Sequence, residues 1–119
     1  MKAHATSDGI KSQDWDPIRA LAADYANRVI SGDQKGARDV KRSLSAQLRA
    51  LEKKYGRSPS VLATMADYVH GTERRVKLLE EAWAVAQQRR DDVNLVFISS
   101  SLAETFAEDV GDEIGRAHV

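Results

Sequence analysis

The nine residues GDQKGARDV, from Gly32 to Val40, return near the end of the chain as GDEIGRAHV, from Gly111 to Val119. The two copies begin 79 positions apart and share both glycines, the first aspartate and the final valine. A glycine just past a helical turn accepts the left-handed conformation that commonly ends a helix. An aspartate directly after it is a good cap for the next helix. The repeated phrase therefore predicts the same turn between two helices at two places in the chain.

Apolar residues recur at spacings of three and four along most of the sequence, which is the pattern of amphipathic helices. The clearest stripe predicts a second helix from Gln34 to Tyr55. Pro17 and Pro59 suit first helical turns, so they mark the starts of the first and third helices. Gly71 and Gly111 mark the ends of the third and fifth helices. The expected fold is all-α, with about five helices in antiparallel hairpins stacked as a short repeat array.

The fifth helix is expected to begin at the break made by Asp91 and Asp92 and to carry a strongly apolar face. Its predicted inward residues are Leu95, Ile98, Leu102, Ala103, Phe106 and Val110. We expect Ala66 and Ala103 to be buried where helices cross. A single core is expected to contain Leu79, Trp83, Leu102 and Phe106. Replacing Leu102 with Ala should then cost about 2–5 kcal/mol.

The domain organisation follows from length and from the polar start of the chain. At 119 residues, one domain is expected. Residues 1–14 read as a flexible N-terminal segment, and residues 15–119 as a helical repeat-like domain that Trp15 anchors at its beginning. No run approaches the roughly 20 apolar residues that cross a bilayer, so the sequence predicts no membrane association. The absence of cysteine fits a reducing compartment, and we expect a cytoplasmic protein.

Charge is balanced over the whole chain but separated along it. Residues 35–57 contain eight bases and two acids, a net of +6, and residues 91–116 contain seven acids and one base, a net of −6. This separation is typical of two solvated helix faces. It also suits the steering of a partner or head-to-tail self-association.

A second repeat indicates how the helices are arranged. The tripeptide Ala23–Tyr25 (ADY) recurs at Ala66–Tyr68 after 43 residues, and the related Ala103–Thr105 (AET) follows 37 residues later. A glycine turn comes after each of the three motifs. A period near 40 residues indicates stacked helical hairpins, in which each repeat buries its apolar face against the next.

The segment Leu78–Ala117 resembles the tetratricopeptide repeat in a longer form. Its LLEEAWAVA is similar to that family's second helix, with Ala82 at the small-residue position, and SSSLAETF is similar to the following first helix. GDEIGRA resembles the turn between the two helices. The resemblance implies a stack that binds a protein or peptide in a groove lined by first helices. A plain antiparallel bundle accounts for the same periodicity and stays an alternative.

Residues with catalytic or metal-binding chemistry do not form a site in this sequence. Asp67 and His70 share one helix face, but a metal-binding bundle needs a second such pair. Glu80 and Glu81 are adjacent and point to different sides of a helix. The serines of 99–101 lack the glycine-flanked turn of a hydrolase nucleophile. We therefore expect no catalytic residues, no metal site, no cofactor and no enzyme activity.

The predicted function is a protein-interaction module of the adaptor, chaperone, immunity or regulatory type. Polar residues beside the packed alanines of the first helices are the expected binding surface. These are Asp24, Asn27, Arg28, Asp67, His70, Glu104 and Glu108. A groove with this acidic ladder suits a basic or amide-rich peptide. The alternative is a nucleic-acid-binding domain that uses the basic helix over 35–57, although the helix lacks interleaved aromatic residues.

Self-association is the last expectation from the sequence. The fifth helix has more apolar residues than a terminal helix usually exposes, and repeat stacks need polar ends. We expect a homodimer through the segment Asp92–Val119.

Overall fold

The computed structural model describes residues 4–117 of the chain, and the side chains of residues 4–108. Five helices follow one another: α1 (Ser12–Ser31), α2 (Gln34–Tyr55), α3 (Pro59–Tyr68), α4 (Thr72–Gln88) and α5 (Asp92–Ala117). The described residues contain no strand, only an isolated bridge between His4 and Lys11. The expected all-α fold with five helices in hairpins is confirmed. Within residues 4–117, every helix is too short or too polar to span a bilayer.

The first hairpin turns at the first copy of the repeated phrase, as the sequence predicts. Gly32 has the left-handed φ of 80°, and Asp33 accepts a hydrogen bond of 2.9 Å from the backbone N–H of Gly36. That bond satisfies one of the amides that the start of a helix leaves unpaired. The predicted limits of α2, Gln34 and Tyr55, are both confirmed.

The second copy of the phrase adopts a different conformation. Gly111 lies inside α5, which continues to Ala117, so the prediction that Gly111 ends the fifth helix in a matching turn is wrong. Glycine permits a left-handed stop but does not require one, and inside a helix it costs only about 1 kcal/mol relative to alanine. The sequence identity of the two phrases therefore does not produce identical turns.

The start of α1 also differs from the prediction. The helix begins at Ser12, so Pro17 lies inside it rather than in its first turn. The side chain of Asp14 accepts hydrogen bonds from Tyr55 and from Lys54, the latter at 2.9 Å. These bonds to the end of α2 stabilise the helical turn that precedes the predicted start of α1. A proline one turn into a helix removes only one backbone hydrogen bond.

The N-terminal residues pack against the helices, where the sequence predicts a flexible segment over 1–14. Ile10 is fully buried and belongs to the same core cluster as Ile18, Leu44 and Leu48. Its backbone N–H bonds to the side chain of Thr6. We call residues 4–11 the N-terminal strap because they cross from α1 to the start of α5.

The remaining helices pack around a second core cluster in which α4 lies between α3 and α5. Its buried members are Leu62, Ala63, Ala66, Leu79, Ala82, Ala86 and Ile98. The prediction that Ala66 is buried at a crossing is confirmed. Since the connections α3–α4 and α4–α5 are each three residues long, α4 runs antiparallel to both neighbours, and α3 and α5 run in the same direction.

The inward face of α5 differs from the predicted stripe. Asn94, Ile98 and Thr105 are its buried side chains, whereas Ala103 is exposed and Phe106 is 50% exposed. Trp83 on α4 is 38% exposed, so the predictions that Ala103 is buried and that Trp83 and Phe106 complete the core are wrong. The hydrogen bonds of Asn94 account for this difference between the predicted and the observed inward face of α5, because they hold this polar side chain in the interior.

Candidate functional site

Two cavities lie between α3 and α5, and we call them together the groove. Side chains one turn apart on α3 form one wall, and side chains of α5 form the other. The lining residues from α3 are Ser60, Ala63, Thr64 and Asp67. The lining residues from α5 are Val93, Asn94, Phe97, Ser101, Glu104, Thr105 and Glu108. Because the two helices run in the same direction, the starts of both lie at one end of the groove. The lining residues make the two ends chemically different.

The apolar end of the groove is a cavity of about 250 Å³. Trp15 from α1, Ala63 from α3, and Val93 and Phe97 from α5 supply most of its walls. The N-terminal strap forms the remaining side through Ala5, Thr6 and Ser7. Phe97 is 52% exposed, which is unusual for a phenylalanine in the middle of a helix. An exposed aromatic side chain beside an open apolar cavity is typical of a site that receives an apolar group.

A hydrogen-bond network fixes the strap beside this cavity. Asp8 accepts hydrogen bonds of 2.8 Å from the backbone N–H of Ser60 and 2.7 Å from its hydroxyl. The buried amide of Asn94 donates to the hydroxyls of Ser60 and Ser7, at 3.2 and 3.1 Å. The wall of the cavity is therefore held by bonds between three separate parts of the chain.

Asp91 completes the network and caps α5. Its carboxylate accepts a 2.6 Å hydrogen bond from the Ser7 hydroxyl and bonds from the backbone and side chain of Asn94. Burial alone would raise the pKa of Asp91, but these hydrogen bonds outweigh burial, and the pKa of the carboxyl lies below its ordinary value. Asp91 is consequently ionised at neutral pH although it is buried.

The acidic end of the groove is a cleft of about 180 Å³ where α3, α4 and α5 meet. Three carboxylates, those of Asp67, Glu104 and Glu108, line this cleft together with Arg75. One terminal nitrogen of Arg75 lies 3.8 Å from Glu108, and its buried Nε has no hydrogen-bond partner within the described residues. Three acids and one base leave this end with an excess of negative charge when all of them are ionised.

Burial and the neighbouring charges together shift the titration of Asp67. Partial burial of the carboxyl raises the pKa of Asp67 above its ordinary value of 3.8. Arg75 opposes this rise and Glu104 adds to it. A cation placed in the cleft would favour the ionised form of Asp67. The cleft therefore suits a positively charged group.

The structure brings together three of the residues that the sequence nominates for binding and separates the other four. Asp67, Glu104 and Glu108 line the acidic end. Asn27 and His70 are exposed and lie outside the groove lining.

Asp24 and Arg28 are engaged within α1. Arg28 bonds to Asp33 at 2.8 Å and to Asp24 at 3.0 Å, and these bonds raise the pKa of its guanidinium. This pairing ties α1 to the turn before α2. It takes both side chains away from the acidic ladder that the sequence predicts.

Sequence reasoning missed Trp15, Arg75, Phe97 and the strap as parts of the groove. Trp15 was expected only as an anchor, because no local pattern links it to α5. Phe97 falls outside the predicted inward stripe of α5. An aromatic residue outside the buried stripe of a helix is expected to be exposed, so its position in the sequence could have indicated its place in the groove. Among the described residues, no group of three or more potential ligands is arranged to hold a metal ion.

The basic helix α2 carries its charges on the side opposite the core. Two bases of the stretch 35–57 have acidic partners on other helices: Lys54 lies 2.9 Å from Asp14, and the guanidinium of Arg57, just past α2, binds both oxygens of Glu81. The bond to Glu81 raises the pKa of Arg57 and lowers that of Glu81. These pairs reduce the charge available to a nucleic-acid backbone.

No family model, curated protein or solved structure matches this chain at a significant level.

Proposed function

We propose that this chain is a protein-interaction domain that binds a peptide segment of a partner protein in the groove between α3 and α5. The observation that carries the proposal is the polarity of the groove, which is apolar around Trp15 and Phe97 and acidic around Asp67 and Glu104. A segment with an apolar side chain and a basic side chain complements both ends at once.

The spacing of the two ends sets the spacing in the peptide. Phe97 and Glu104 are seven residues apart on one helix, which corresponds to about 10 Å along its axis. An extended chain covers that length in about three residues. The expected ligand therefore has Leu or an aromatic residue about three positions from Arg or Lys.

The two ends contribute differently to binding. Burial of a leucine side chain is worth about 1.5–3 kcal/mol, whereas an exposed ion pair is worth up to about 1 kcal/mol. We therefore expect the apolar end to supply most of the affinity. The acidic end selects the orientation of the peptide and excludes acidic segments.

The place of the groove in the fold supports a tetratricopeptide-like arrangement as part of this proposal. α3 opens the second hairpin, and α5 occupies the next first-helix position. Stacked helical repeats commonly bind their partners along the surface that their first helices line. We further propose that the domain binds without catalysing a reaction and acts in the cytoplasm, where its cysteine-free composition is suitable.

Trp15 provides a direct test, since it lines the apolar end. The variant Trp83→Phe leaves Trp15 as the single tryptophan of the chain. This variant should be titrated with Gly/Ser peptides that carry Leu and Arg about three positions apart, in both orders. We expect saturable binding that changes Trp15 fluorescence. Replacing the peptide's Leu with Gly should weaken binding at least tenfold, and replacing Arg with Gln up to about fivefold.

The matched control separates the peptide proposal from binding of nucleic acid. A duplex DNA titrated at low salt should not bind with measurable affinity. Saturable DNA binding whose affinity falls linearly with salt in a log–log plot, together with no peptide binding, would overturn the proposal in favour of the basic α2 surface.

A further inference from the structure

The outer face of α5, opposite its buried side chains, is uncharged over most of its described length. It consists of Val93, Val96, Ser100, Ala103 and Ala107, all of them exposed. Val93 and Val96 are 69% and 70% exposed. No charged residue occurs between Asp92 and Glu104. A helix face that meets only water usually carries charged or polar side chains, and this one does not.

The spacing of these five residues is regular. They follow one another at intervals of three, four, three and four residues, which is the seam pattern of a coiled coil. In the sequence, the same spacing continues at Val110, Ile114 and Ala117, all within the limits of α5. We call Val93, Val96, Ser100, Ala103 and Ala107 the outer seam. Their small middle members allow a facing helix to approach closely.

We infer that the outer seam packs against the outer seam of a second copy of this chain, with the two α5 helices antiparallel. A two-fold pairing uses the same patch on both subunits, so it requires a surface that complements itself. The outer seam meets this requirement because its spacing lets valines of one helix lie over alanines of the other.

The distribution of charge selects the antiparallel orientation. Arg89 and Arg90 are exposed just before α5, whereas the sequence from Glu104 onward has five acids and only Arg116 as a base. A parallel pair would place each acidic half against its own copy. An antiparallel pair instead moves the acidic half of one helix towards Arg89 and Arg90 of the other, which is electrostatically complementary.

This pairing is independent of peptide binding in the groove. The outer seam meets the groove at Val93, which lines the apolar cavity, whereas Val96, Ser100, Ala103 and Ala107 lie outside the groove lining. A variant at Val96 or Ala103 can therefore abolish pairing while the groove remains intact.

Sedimentation equilibrium at micromolar concentration tests the inference. The parent chain should sediment at twice its mass of 13.2 kDa. Ala103→Glu should sediment as a monomer, because the substitution places a carboxylate in the middle of the seam. The matched control is Ala46→Glu, which changes an exposed alanine of α2 and should leave the dimer unchanged. Val96→Glu serves as a second variant, and circular dichroism checks that each variant is folded.

A monomeric parent would overturn the inference, and so would a dimer that survives both Ala103→Glu and Val96→Glu. Orientation is tested by single cysteines, since the chain has none of its own. Ser100→Cys at the centre of the outer seam should form an interchain disulfide on mild oxidation. Val93→Cys should not, because antiparallel helices hold the two positions about 21 Å apart. Rapid oxidation of Val93→Cys to a dimer would contradict the antiparallel arrangement.

Discussion

The outer faces of α2 and α5 differ in kind. α2 exposes charged side chains along its length: Lys35, Arg38, Asp39, Arg42, Arg49 and Lys53. α5 exposes an uncharged face from Val93 to Ala103. Both helices also bury one face in a core cluster. α2 therefore has one packing surface and one solvated face. α5 has one packing surface and an opposite face whose uncharged side chains are also suited to packing.

The largest expected difference in the free energy of unfolding is between two substitutions, one of a leucine on the inner face of α2 and one of a valine on the outer face of α5. Leu48 is 1% exposed, so Leu48→Ala should lower the free energy of unfolding by about 2–5 kcal/mol. Val96→Ala should change the stability of the monomer by less than about 0.5 kcal/mol. Urea denaturation at low protein concentration measures both values.

Leu102→Ala should fall between these two variants, since Leu102 is partly buried against its cluster rather than enclosed. Its cost should lie near the lower limit of about 2 kcal/mol for buried leucines. If Val96→Ala destabilised the monomer as much as Leu48→Ala, the outer face of α5 would already be packed within one chain.

The next effect concerns the caps of the same two helices. Asp91→Ala should cost about 1–2 kcal/mol, because it removes the α5 cap and the bonds to Ser7 and Asn94. Asp33→Ala removes the α2 cap, but Asp33 is exposed and bonds only to nearby residues, so its cost should be smaller. Thermal melting of the two variants ranks them, and a larger loss for Asp33→Ala would contradict the role assigned to the strap.

The cost of Asp91→Ala should depend on pH in a defined direction. The pKa of Asp91 is lower in the folded state than its ordinary value of 3.8. Its ionised form therefore stabilises the fold above pH 3.8, and this contribution is lost as pH falls through the folded pKa. The difference between parent and Asp91→Ala should be constant near neutral pH and shrink in acid.

At the acidic end of the groove, ionisation of a carboxyl is expected to lower stability, which is a smaller effect than that of Asp91 and opposite in sign. The pKa of Asp67 is raised in the folded state, so ionisation of this carboxyl lowers stability as pH rises from 3.8 through the folded pKa. Asp67→Asn should therefore raise the melting temperature at pH 7, with little change below pH 3.8. A variant that is less stable than the parent at pH 7 would contradict the raised pKa of Asp67 and its main cause, the burial of the carboxyl.

The comparison also shows which parts of the fold the sequence determines locally. α2 could be predicted to the residue because its stripe, its cap Asp33 and its stop Gly56 all agree. α5 has more apolar residues than one face needs, so its periodicity does not identify the buried side. The buried polar residues Asn94 and Thr105 define that side. Asn94 does so through bonds to the strap that no local pattern contains.

The candidate groove could be predicted in part. Asp67 and Glu104 occupy matching places in the ADY and AET motifs, and both line the cleft between α3 and α5. Trp15 and Arg75 reach the groove from other helices through the tertiary arrangement. Asp24 fits the same motif but bonds to Arg28 of its own helix, so the motif alone does not decide which acids are available.

A double-mutant cycle at the acidic end tests the central claim, peptide binding between α3 and α5, most directly. The Leu/Arg peptide and its Arg→Gln form should be titrated against Trp83→Phe with and without Glu104→Gln, and against Trp83→Phe with Arg42→Gln on α2. We predict that the peptide's Arg contributes up to about fivefold in affinity with Glu104 present, and a clearly smaller factor in Glu104→Gln, where Asp67 and Glu108 remain. Arg42→Gln should leave its contribution unchanged. Losses that simply add across the cycle, or an equal effect of Arg42→Gln, would contradict the account.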